Sequence, residues 1–236
     1  MTRTPAWALF WTVLRAAASV LIAAAIIAQA ARSISGAIEG GRDVTTTVVN
    51  FFSFFTILSN VLSVIALAWA AVWFWTRGRR DAAAPEPRSL AVALACATTY
   101  MLVTGVVYNT LLRGIPLPQG TTVPWSNEVL HVVGPLVLAA DLFLGPRRRA
   151  LGWKTILAVL VFPVAWVVYT LVRGPLTTSP ITGDPFWYPY PFLNPHNFDN
   201  GYAGVAVYVV GIAVAISLAA VLVLWVGRRR GARLSA

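Results

Sequence analysis

Apolar residues dominate six long stretches of this chain, at about 6–31, 48–75, 89–112, 127–144, 151–172 and 202–226, with short polar connections between them. Each is close to the roughly 20 residues that a helix needs to cross a bilayer. The pattern predicts an all-α, polytopic membrane protein: one integral membrane domain over 1–236, folded as a six-helix bundle. The fourth stretch is short and starts on polar residues, which predicts that it begins in a water-accessible recess. Between the second and third, "RGRRDAAAPEPR" reads as a loop, because its prolines and charges break any helix. The longest connection, an outer loop over 173–201, runs through "TGDPFWYPYPFLNPHNFDN". It is too rich in proline for a helix and too aromatic for a solvated linker.

Composition agrees with the pattern. Of 236 residues, 58% are hydrophobic and 11% charged, against about a quarter charged in soluble domains. The net charge of +10 does not point to nucleic acid, because the basic residues sit in short clusters beside apolar stretches, as in RGRR, PRRR and GRRRGAR. Arginine placed there orients a chain in a membrane and meets anionic headgroups. Arg77, Arg79, Arg80, Arg88, Arg147, Arg148, Arg149, Lys154, Arg228, Arg229, Arg230 and Arg233 fall on one side of the six stretches. Only Arg32, Arg42, Arg113 and Arg173 fall on the other. The positive-inside rule therefore predicts an N-in/C-in bundle. The high Ala and Arg content suggests a GC-rich bacterium, and so a bacterial plasma membrane. A competing reading takes Arg3, Arg15, the first apolar run and "AQA" as a cleaved secretory signal, which would leave five spans. No internal repeat of the kind that marks transporters built from inverted halves is visible. Cys96 stands alone and reads as a small packing residue. Two His in different segments fall short of a metal set, so neither a metal nor a cofactor is expected.

With direction assigned, polar residues of separate stretches fall at one level. The fourth enters with Asn127, Glu128 and His131 on one helix face, His131 about 6 Å from its start. The second, entered near Val48, brings Thr56 roughly 12 Å along and Asn60 one turn deeper. The third ends at the same level with Tyr108 and Asn109, and Arg113 and Arg173 lie at the rim. Ionisable groups inside a membrane carry a functional hypothesis by default. Each also has a plain structural reading. A threonine back-bonds to its own helix, asparagines join helices, and Glu128 suits a helix N-terminus. A histidine bonded to a neighbouring helix needs no chemistry either. Asp141 lies about 15 Å beyond His131 and is expected to pair with Arg147, Arg148 or Arg149. His196 and Asp199, in the proline-rich loop, carry no assignment.

"FFTILSN" around Thr56 and "LHVVGPLVLAADLF" around His131 resemble the androgen-induced six-span membrane proteins and their bacterial relatives, whose last external loop is similar to "YPYPFLNP". In the animal members a threonine in span two and a histidine in span four hydrolyse fatty-acid esters of hydroxy fatty acids. The resemblance implies an intramembrane lipid-ester hydrolase, with Thr56 as nucleophile and His131 as general base near the outer leaflet. The motifs' surroundings differ from the animal form, so substrate identity does not transfer. The bilayer and a membrane lipid or fatty-acid ester are the expected partners. Phe51, Phe52, Phe54 and Phe55 offer a wall for an acyl chain. Asn60 and Asn109 are candidate oxyanion donors, Glu128 a candidate for orienting His131, and Arg113 and Arg173 candidates for a substrate carboxylate. An acyltransferase would use the same pair. A binding or proton-conducting protein would use His131 and Glu128 alone. Oligomeric state is not readable from the chain.

Overall fold

The computed structural model describes residues 5–81, 84–115 and 122–232; Arg3 and Arg233 lie outside them. Among the described residues the protein is all-helical, and six helical spans are long and apolar enough to cross a membrane. Helix α1 (Pro5–Glu39) continues through the "AQA" segment without a break and packs along α3, past the end at 31 that hydropathy suggests. It stops where Gly41 takes φ 61°. Arg42 N–H then reaches back to Ala37 O and Gly41 N–H to Ile38 O, closing the helix with a Schellman pair. Asp43 restarts the chain, its carboxylate accepting from Thr46 N–H at 2.5 Å as the N-cap of α2 (Val44–Phe51).

The expected second span is not one helix. The chain breaks after α2, Phe54 is extended (ψ 128°), and α3 begins at Phe55 (Phe55–Trp73), running through a π turn to Gly78. No Gly or Pro announces this break. It is held by side chains from far along the sequence: Trp166 Nε1 donates to Ser53 O at 2.9 Å, and Tyr169 Oη lies 3.0 Å from Ser53 Oγ. Backbone groups released at membrane depth need such partners, because lipid offers none.

Helix α4 (Arg88–Val107), extended by a π turn Tyr108–Leu112, is the centre of the bundle, touching α3, α6, α7 and α8. Leu90, Leu94, Ala97 and Met101 on it are fully buried. The fourth span joins α5 (Pro124–Glu128), a π turn Val129–Val133 and α6 (Gly134–Leu144). Helices α7 (Thr155–Arg173) and α8 (Tyr202–Ala232) are peripheral: 22% and 28% of their apolar windows are buried, against 61% for the span of α4.

The aromatic loop folds back onto the bundle. Trp187, Tyr188, Tyr190, Phe192 and Leu193 are buried, and Trp187 N–H donates to Gly174 O at 2.9 Å. Tyr188 packs against Gly174, where any Cβ would run into its ring. At the opposite, arginine-rich end, a buried ion cluster ties four segments together. Arg15 of α1 holds Asp141 of α6 at 2.7 Å and Glu86 of the loop at 2.9 Å, and Arg148 reaches Asp141 at 2.9 Å. Trp11 Nε1 also donates to Asp141. Arg148 is thus the expected local partner of Asp141, while Arg15, which a signal peptide would remove, is its second.

Candidate functional site

Thr56 stands in the first turn of α3, not deep in a continuous span. This removes the back-bond that most membrane threonines make. Thr98 and Thr99 donate to Leu94 O and Ala95 O at 2.6 and 2.8 Å, but the residue four before Thr56 is Phe52, on the other side of the break. Thr56 Oγ1 instead lies 3.2 Å from Tyr190 Oη, and Thr56 N–H donates to the same oxygen at 3.2 Å. Either hydroxyl of this pair can donate to the other. Burial raises the Tyr190 phenol above its ordinary range, against the lowering effect of its hydrogen bonds to Thr56. Tyr190 is therefore held as the neutral phenol. Phe54 and Trp166 meet its ring at 5.6 and 6.0 Å.

Thr56 and Tyr190 edge a cavity of about 180 Å³ between α3, α4, α7, α8 and the aromatic loop. Its lining is hydrocarbon except for Thr56, Thr104, Tyr108, Tyr190 and the Trp166 ring nitrogen. Leu193, Phe192 and Tyr190, all buried, close it on the loop side. Val164 of α7 lines the cavity and is also 58% exposed on the bundle's outer surface, and Ala213 of α8 is likewise exposed. The cavity therefore opens sideways, between the two least buried helices.

His131 lies in the π turn of the fourth span. Its Nδ1 is 2.9 Å from Asn127 O. A carbonyl only accepts, so Nδ1 carries the hydrogen and Nε2 keeps its lone pair. The imidazole stacks on Tyr108, ring centroids 3.8 Å apart, and Tyr108 in turn accepts from Asn127 Nδ2. Tyr108 lines the cavity and His131 does not. Among the described residues, no hydrogen bond joins Thr56 to His131.

The asparagines have a structural role that can be traced to Pro135. In the π turn Gly134 N–H bonds to Val129 O, five residues back. The next donor in that register would serve Leu130 O, and it is missing because residue 135 is proline. Asn60 Nδ2 fills the gap, donating to Leu130 O at 3.2 Å and to Thr56 O at 2.9 Å. Asn109 Nδ2 serves the neighbouring carbonyl, His131 O at 3.3 Å, together with Gly105 O at 2.7 Å. Both amide protons of each are thereby used, and neither is free as the oxyanion donor that the sequence suggested. A buried carbonyl left bare would cost about 1–3 kcal/mol.

Glu128 is likewise not aimed at the imidazole: it pairs with Arg113 at 3.0 Å, half-exposed, and this hydrogen bond raises the Arg113 pKa. Arg113 also donates to Asn109 Oδ1 at 2.9 Å. Arg173 donates to Asn50 Oδ1 at 2.7 Å and covers the Trp187 ring at 5.4 Å. It has no carboxylate within ion-pair distance among the described residues. No three His, Cys, Asp or Glu side chains come together there as a metal would require. Tyr190, absent from the sequence-level set, is the addition that matters. Only the dense aromatic spelling of the loop hinted at it.

The fold and site define a six-span membrane bundle with a laterally open apolar cavity, roofed by an aromatic loop and headed by a threonine hydroxyl. Comparison with protein-family models, curated proteins and solved structures gave no match.

Proposed function

We propose that the protein is an intramembrane lipid-ester hydrolase of a bacterial plasma membrane, its arginine-rich end cytoplasmic and its aromatic loop outside. The observation that carries the reading is the Thr56 hydroxyl, freed from its own helix and turned to an apolar cavity. An ester enters between α7 and α8 with its acyl chain in the cavity. Thr56 Oγ1 attacks the carbonyl carbon, its proton passing to His131 Nε2 once the Tyr108–His131 stack opens. Tyr190 O–H steadies the oxyanion at the α3 N-terminus. Collapse expels the alcohol, which takes the proton from His131, and water then releases the acid from acyl-Thr56 and restores the hydroxyl.

A second reading, non-covalent binding of an acyl chain, is favoured by the lack of a Thr56–His131 hydrogen bond. Turnover separates the two. With the protein in lipid nanodiscs and fluorogenic long-chain esters as substrate, Thr56→Ala is expected to lose at least about a hundredfold in kcat/KM, and Thr56→Ser to keep measurable activity. Equal turnover by wild type and a folded Thr56→Ala variant would leave only the binding reading.

A further inference from the structure

At the arginine-rich end of the bundle, α8 and the segment before α7 bring exposed cations and indole rings together. Down one face of α8, Leu218, Val221, Leu222 and Trp225 stand three or four residues apart and so are neighbours, each between 41% and 65% exposed. The stripe ends on Arg228 and Arg229, the next positions of that face, both exposed. Arg229 covers the Trp225 ring at 4.9 Å. Arg228 covers the ring of Trp153, which precedes α7, at 5.3 Å, and its Nη1 donates to Leu151 O at 3.1 Å. The two segments are held firmly. Arg230 Nη2 donates to Gly145 O at 2.6 Å, and Gly231 packs so close to Ala150 that a Cβ would lie 2.9 Å from its side chain. Lys154, also exposed, follows Trp153.

The fold supplies these cations with no counter-charge. Among the described residues, Lys154, Arg228 and Arg229 have no carboxylate within ion-pair distance, and the buried Glu86 and Asp141 are taken by Arg15 and Arg148. Arg147 and Arg149, by contrast, turn their guanidinium groups onto backbone carbonyls. An apolar stripe that passes through tryptophan to exposed cations matches a molecule with a hydrocarbon chain and an anionic head. Tryptophan settles at headgroup level, and guanidinium and ammonium groups donate to phosphate oxygens. A soluble anion would use the cations and leave the stripe uncovered. We propose that the Trp153–Lys154 segment and the Arg228–Arg229 turn of α8 bind the phosphate of an anionic glycerophospholipid whose acyl chains lie along the Leu218–Trp225 stripe. The site lies at the far end from Thr56 and does not rest on the hydrolase reading.

The test titrates delipidated full-length protein in mild detergent with dioleoylphosphatidylglycerol or dioleoylphosphatidylcholine, bound lipid being read by native mass spectrometry. Wild type is expected to bind the anionic lipid about tenfold more tightly, because each cation at a bilayer surface favours anionic headgroups. The variant Lys154→Gln/Arg228→Gln/Arg229→Gln is expected to lose that preference. Arg77→Gln/Arg79→Gln/Arg80→Gln, which removes as many exposed charges from the same end, is expected to keep it. Equal binding of the two lipids by wild type overturns the site. Equal loss in both variants also overturns it and leaves only diffuse attraction of charge. Displacement of the lipid by millimolar inorganic phosphate would overturn the lipid as occupant in favour of a simple anion. Because Arg228 also holds Leu151 O, Lys154→Gln/Arg229→Gln stands in should the triple variant not fold; an undiminished preference there overturns the site as well.

Discussion

The two ends of the bundle both bury polar groups, but to different effect. At the arginine-rich end, Arg15, Asp141, Glu86 and Arg148 are each 5% exposed or less and their charges balance, two guanidinium groups against two carboxylates. They join α1, α6 and two loops, and none of them lines the cavity at Thr56. At the opposite end Thr56, Tyr108 and Tyr190 bring hydroxyl-bearing side chains to an open space, with His131 stacked on Tyr108. His131 has its Nδ1 committed to a carbonyl. A charge-balanced cluster enclosed by protein specifies how segments pack. Hydroxyls bordering a cavity leave room for something that arrives later.

The largest test of that contrast is at the charge-balanced end. Asp141→Asn leaves Arg15 and Arg148 facing Glu86 alone. Breaking such a buried cluster by removing one partner typically costs about 3–5 kcal/mol. A large drop in Tm is expected in detergent, while chain binding at the far end of the folded protein persists. A variant melting like wild type would show the cluster to be dispensable.

The smallest expected effect concerns Asp43, the exposed cap of α2. Its hydrogen bonds to Thr46 hold the carboxyl below its ordinary range. The unfolded chain therefore binds this proton first, and the cap's contribution is present above about pH 4. It is lost as pH falls through the lowered value in the folded protein. Corrected for the intrinsic pH dependence of amide exchange, protection of the α2 amides should fall on acidification in wild type, whereas Asp43→Asn should show a weaker acid dependence. Identical acid profiles would remove Asp43 from that role.

Much of the architecture was legible in the chain, because hydropathy reports burial in lipid directly. The six spans and the shared level of Thr56, Asn60, Asn109 and His131 follow from apolar length and from counting along helices. What failed depends on contacts distant in sequence. The break at 52–54 carries no proline or glycine and is stabilised by Trp166 and Tyr169, so Thr56 was placed too deep in its span. Arg15 resembled part of a targeting segment because its partners, Glu86 and Asp141, lie far along the chain. Asp141 was the available signal, since an ionisable group in one span calls for a partner in another. The Tyr190 contact with Thr56 had no sequence trace beyond an aromatic loop too greasy to be solvated. Asn60 and Asn109 were legible as polar, but their carbonyl partners follow only from Pro135 acting on a π turn.

The most direct measurement is fluorophosphonate labelling of the purified protein, with the labelled peptide identified by mass spectrometry and folding checked by thermal melt. Wild type should carry the label on Thr56, folded Thr56→Ala should carry none, and Tyr190→Phe should label more slowly. Label persisting in folded Thr56→Ala, or wild type that binds fatty acid yet never labels, would contradict Thr56 as an activated nucleophile.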